Sequence, residues 1–122
     1  MNQVLLVGLG GAFGSILRYA ISIFLPSAKT GFPFATFLVN VLGSFLIGIL
    51  LAYFQKNNIE NNALISFLVI GFCGGFTTFS TFSKESILLF QQQQYSMFLI
   101  YVFASILICF LATFIGFLAF KN

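Results

Sequence analysis

The sequence predicts an all-α integral membrane protein with four transmembrane helices, the third of them broken. Three observations predict it: scarce charge, charges placed as separators, and the interruption "GFCGGFTTFSTF" at 71–82 inside the third apolar run. Of 122 residues, 60% are hydrophobic and 6% charged, where a soluble domain carries about a quarter Asp, Glu, Lys and Arg. Five basic and two acidic side chains cannot coat a water-facing globule.

Residues 30–55, 61–83 and 86–120 contain no charge. A helix crossing the hydrocarbon core needs roughly 20 apolar residues, so each stretch holds one span, and a further span precedes them. Span one, about 4–25, is "VLLVGLGGAFGSILRYAISIF" with Arg18 as its one charge. It is expected to be retained rather than cleaved, because it lacks a basic n-region and a small-x-small site. Residues 25–33 read as a loop, holding both prolines, Lys29 and Gly31. Span two is 34–54, followed by the polar turn "QKNNIENN". Span three is 63–90, and "QQQQYS" links it to span four at 97–119. The whole of 1–122 is thus expected to form a single four-helix transmembrane domain.

Lys and Arg in the flanks set orientation. With the amino terminus inside, Lys56 and Lys121 lie inside and Arg18, Lys29 and Lys84 toward the outside. That balance gives no bias, so either the chain inserts both ways, for which an antiparallel two-fold dimer is natural, or another feature sets one orientation. Four short spans leave little room for an internal pathway, which favours an oligomer.

Polar stripes come next. In span two, Thr36, Asn40, Ser44 and Gly48 recur every four residues on one helix face. Packing accounts for Ser44 and Gly48, while Asn40, near mid-membrane, fits either helix–helix glue or a ligand site. Span one carries Gly8, Gly11, Gly14, Ser15, Arg18 and Ser22 along one side, with a GxxxG at Gly10 and Gly14. Arg18 reads as a snorkelling anchor or as a charge drawing anions to a pore mouth. Span four has Tyr101, Ser105, Cys109 and Thr113, either interface polarity or the wall of a path.

In span three, Gly74, Gly75 and the Thr77–Thr78 pair predict a helix break in mid-membrane. Unpaired backbone there must be buried or line a cavity, and freed carbonyls can coordinate a cation. Beyond it, Phe76, Phe79 and Phe82 fall at a spacing of three, with Ser80, Thr81 and Ser83 adding hydroxyls. The default for phenylalanine is packing or lipid contact. An aromatic edge is also positive, and can face an anion without holding it as tightly as a full charge. With the Asn40 amide and hydroxyl donors, this inventory suits a small, strongly hydrogen-bonding anion. The chain has no His, no nucleophile–base pair and no metal-ligand set, so enzymatic activity is not expected, and nothing points to nucleic acid.

The segments "GGAFGSILRY" (10–19), "TFLVNVLGSF" (36–45) and "GFCGGFTTFSTF" (71–82) resemble, in order and spacing, the signatures of the Fluc (CrcB) family of fluoride channels. The resemblance extends over all four spans. It implies an antiparallel dual-topology homodimer in the bacterial inner membrane, surrounded by lipid, with two pores exporting fluoride passively to relieve its toxicity. Carried over by position, Phe79 and Phe82 would line the pores and Asn40 would be the pore amide. Ser80, Thr81, Tyr101, Ser105 and, on the span-two stripe, Thr36 would form the polar wall, and Arg18 would lie near a vestibule. Gly74 and Thr77 would give backbone carbonyls to a structural sodium ion on the dimer axis. Ser15 stands where the family commonly has Ala, Ala35 where Gly is frequent, and Cys109 where some relatives have a hydroxyl.

Two rival readings remain. Small multidrug-resistance exporters also have four short spans and dual topology, but need an acid in the first span, which has none here. A non-transporting membrane scaffold would use the small-residue stripes for packing alone.

Overall fold

The computed structural model describes residues 2–25 and 31–121, and among them every regular element is helical. Helix α1 (Gln3–Phe24) starts where the Asn2 side chain accepts from the Val4 N–H at 2.9 Å. Helix α2 (Phe34–Lys56) follows Pro33, and a turn with Asn58 at φ 51° ends it. Asn tolerates that left-handed geometry better than most residues. Lys29 and the part of the expected loop at 26–30 lie outside the described residues.

The third crossing, Asn62–Gln91, is built in pieces. Helix α3 (Asn62–Ile65) is capped by the Asn61 side chain, which accepts from the N–H groups of Ala63 and Leu64. The chain then winds as a π-helix over Ser66–Cys73, which periodicity did not foretell, and returns to α-geometry in α4 (Gly74–Phe76). It breaks at Thr77 and Thr78, both extended, and resumes as α5 (Phe79–Gln91). Helix α6 (Tyr95–Lys121) completes the set. Among the described residues, four helical stretches are long and apolar enough to cross a membrane.

The break differs in detail from expectation. Gly74 stays helical, at φ −62° and ψ −38°, and the threonines open the chain. Their hydroxyls supply local bonds that compete with the helix. Thr77 Oγ1 donates to the Cys73 carbonyl at 2.8 Å, and Thr78 Oγ1 accepts the Thr81 N–H at 3.2 Å, capping α5. Gly71 and Gly75 serve packing instead. A Cβ on Gly75 would lie 2.6 Å from the Gly11 carbonyl oxygen, and one on Gly71 would lie 2.8 Å from that of Val7.

Helices in lipid gain nothing from the hydrophobic effect on meeting each other, so close backbone approach through small residues carries the association. Two helix pairs use it. Against the third crossing, α1 sets Gly10 over the Phe67 carbonyl and the Phe72 N–H, and Gly14 over the Phe72 carbonyl and the Phe76 N–H. Against α6, α2 sets Gly48 over the Thr113 carbonyl, and Gly116 answers from α6 against the Phe45 carbonyl. Helix α5 leans on α6 through a small core of Phe82, Leu89 and Tyr101. Large apolar side chains such as Val4, Phe24 and Phe110 face outward, as a surface meeting lipid or another helix requires.

Gly48→Leu forces a side chain into the α6 backbone and is expected to cost about 3 kcal/mol or more. A Cβ added at Gly8 would meet nothing within 4 Å, so Gly8→Ala should not destabilise and should gain up to about 1 kcal/mol from helix propensity. Denaturant unfolding of the detergent-solubilised protein, followed by circular dichroism, checks both.

Candidate functional site

The site grows out of the break. An α-helix ending in hydrocarbon leaves carbonyls that need partners, and one beginning there leaves N–H groups. The Asn40 carboxamide bridges the two ends. Its Oδ1 accepts the Thr78 N–H at 2.8 Å, and its Nδ2 donates to the Thr78 carbonyl at 3.1 Å. Asn40 therefore joins α2 to the break, and one Nδ2 hydrogen remains uncommitted by these bonds.

This bond has a consequence upstream. Continued helix would send the Thr78 N–H to the Gly74 carbonyl, and Asn40 takes it instead. The Thr77 N–H goes to the Cys73 carbonyl at 2.9 Å. No N–H among the described residues reaches the carbonyls of Gly74 or Thr77. Gly74 is exposed, with open space where a Cβ would stand. Two carbonyls without an N–H partner are free hard oxygen donors.

Arg18 sits at the same break. Its Nε donates to the Gly75 carbonyl at 3.1 Å, so the half-buried guanidinium satisfies an end carbonyl of α4 and places positive charge at a helix C-terminus. This is a more specific contact than the snorkelling anchor that its position in span one suggests.

Beside the break lies a groove of about 330 Å³. Asn40, Ser44 and Ile47 line it from α2, and Thr77, Thr78, Phe79 and Phe82 from the third crossing. Ser105, Ile106, Cys109, Phe110 and Thr113 line it from α6. The polar stripes of spans two and four thus face one space, and no charged side chain lines it. Phe79 is 77% exposed and Phe82 8%, with ring centroids 5.5 Å apart and planes tilted by 54°. Phe76, by contrast, is buried in a stack with Phe72, which fits a packing role. Ser105 is only 5% exposed, and its Oγ has no hydrogen-bond partner. A buried hydroxyl without a partner costs about 1–3 kcal/mol.

The remaining candidates lie off the groove. Ser80 is exposed, its Oγ 3.3 Å from Thr78 Oγ1. Thr81 is half-buried with its N–H committed to the cap. Thr36 is buried on α2, next to Tyr101. Tyr101, fully buried, packs on Phe82 at 5.0 Å and donates its phenol to Glu85 Oε1 at 3.2 Å. This pairing with Glu85 was not foreseen from the sequence. The i, i+3 placement of Phe82 and Glu85 on one face of α5 is the signal that could have found it.

Asn40→Leu keeps the branched shape but strands both Thr78 backbone groups, so a loss of about 2 kcal/mol or more is expected. Hydrogen exchange at the break, measured by mass spectrometry, should rise there before it rises in α6.

Comparison with known proteins extends the picture to the whole chain. A sequence profile described as "CrcB-like protein, Camphor Resistance (CrcB)" matches residues 5–117. The "Fluoride-specific ion channel FluC" of Elusimicrobium minutum is 43% identical over 123 residues, covering 99% of this chain and 95% of the relative. The proteins of that name from Flavobacterium psychrophilum and Campylobacter jejuni are 38% and 42% identical, with at least 99% of both chains covered in each case. Matched along nearly its full length, with Asn40, the Thr77–Thr78 break and the groove all inside the matched region, the chain belongs to the CrcB family.

Proposed function

We propose that this chain is a fluoride-selective channel that lets fluoride leave the cell passively and so relieves its toxicity. It is a multi-pass protein of the bacterial plasma membrane and not an enzyme. The observation that carries the reading is an uncharged groove that keeps an unpartnered Ser105 hydroxyl beside Phe79 and Phe82. Full cationic charge would bind an anion too firmly for it to leave, whereas hydroxyl and amide donors with aromatic edges bind it weakly and in sequence. The N-terminal end of α5 opens at the same place, and its partial positive charge favours an anion. The remaining Asn40 N–H and the Ser105 hydroxyl replace water around the ion, and Phe79 and Phe82 offer ring edges between them. Tyr101, Thr36, Ser80 and Thr81 extend the polar wall beyond the groove, and Arg18 stands near its mouth.

The working unit in this proposal is an antiparallel homodimer with two pores. Its support is the balance of flanking charges and the free carbonyls of Gly74 and Thr77. Two carbonyls are too few for a cation on their own, and a second copy doubles the set. A sodium ion held there would neutralise facing helix ends where two breaks meet; it takes no part in permeation.

Three outcomes are expected. Proteoliposomes should release fluoride, followed with an ion-selective electrode, far faster than empty vesicles and with no matching chloride release; equal rates for the two anions would end the proposal. Phe79→Ile and Phe82→Ile should each slow fluoride release about tenfold, the equivalent of about 1.4 kcal/mol, with the dimer intact by size-exclusion chromatography. Purification without sodium should shift the protein toward monomer, and sodium should restore the dimer; a dimer that elemental analysis shows to be sodium-free would remove the sodium site.

A further inference from the structure

The chain carries two thiols, and the fold treats them differently. Cys73, in the π-helical segment, is fully buried. Cys109 is half-buried on α6 and lines the groove between Ser105, one turn before it, and Thr113, one turn after. Beside it, the Oγ of Ser105, a residue almost wholly buried, finds no hydrogen-bond partner among the described residues. That hydroxyl marks a place for a small guest, and about 330 Å³ leaves room for one.

We propose that Cys109 is a thiol-modification site, reached through the groove by small sulfur electrophiles, while Cys73 is inert. The step is displacement at sulfur by a thiolate, related to thiol–disulfide exchange. The Cys109 thiol gives its proton to water, and the thiolate attacks the sulfenyl sulfur of a thiosulfonate. The S–S bond of the reagent breaks, its sulfinate leaves with the bonding pair, and a mixed disulfide forms on Cys109. The added alkylthio group brings no hydrogen-bond donor and stands in the row of Ser105 and Thr113. Resting on the channel reading, the site is therefore also a point at which anion flow is shut off reversibly.

The test uses methyl methanethiosulfonate on the full chain in proteoliposomes, with two readouts. Peptide mass spectrometry should find the methylthio group on Cys109 and not on Cys73. Fluoride efflux, each variant read against its own untreated rate, should fall by most of its value and return with dithiothreitol. Cys109→Ser should resist the reagent and Cys73→Ser should remain sensitive. An unlabelled Cys109, or a fully labelled one with unchanged efflux, overturns the proposal. Absence of any efflux before treatment counts against the channel reading alone, and the mass readout still decides the site.

Discussion

The paired hydrogen bonds between Asn40 and Thr78 are the constraint on which the rest of the structure depends. In hydrocarbon, an extended dipeptide between two helices has no water to fall back on. One carboxamide supplies both a donor and an acceptor, and so satisfies the N–H and the carbonyl of the same residue. By taking that N–H, it releases the Gly74 carbonyl on one side. On the other side it fixes where α5 begins, and hence where Phe79 and Phe82 stand. The amide can do this only because α2 is itself held in register, with Gly48 meshed into α6 and Gly116 meshed back. The same register brings Ser105, Cys109 and Thr113 to the groove.

Charge is kept out of the groove and placed around it. Arg18 is held on the Gly75 carbonyl, where it balances a helix end. The Glu85 carboxylate, which would repel an anion, accepts from the buried Tyr101 phenol. Between them the lining is amide, hydroxyl, thiol and ring. For an ion that must enter and leave, many weak contacts serve better than one strong one.

The four helices were legible because charge scarcity and the spacing of separators leave few alternatives, and the stripes at Thr36–Gly48 and Tyr101–Thr113 follow from helical periodicity alone. The break was legible as a region but not as a mechanism. Glycine suggested weakness at Gly74 and Gly75, yet both are used for their lack of a side chain or left facing open space, and the two threonines part the helix. The π-helical winding of Ser66–Cys73 had no sequence sign, because its apolar residues suit either pitch. Arg18 on Gly75 and Tyr101 on Glu85 are contacts across 57 and 16 positions, set by packing that local pattern does not encode.

The bond between Arg18 and Gly75 also imposes an order on how the protein is made. The guanidinium enters the membrane with the first span, and its acceptor lies 57 residues further along the chain. At roughly 5–20 residues per second of synthesis, that acceptor arrives about 3–11 s later. Until then, the Arg18 charge, six residues from the end of α1, must reach for the interface or hold water. The first helix thus gains the partner for its one charge only when the third crossing has been made, and the broken helix satisfies a segment made long before it.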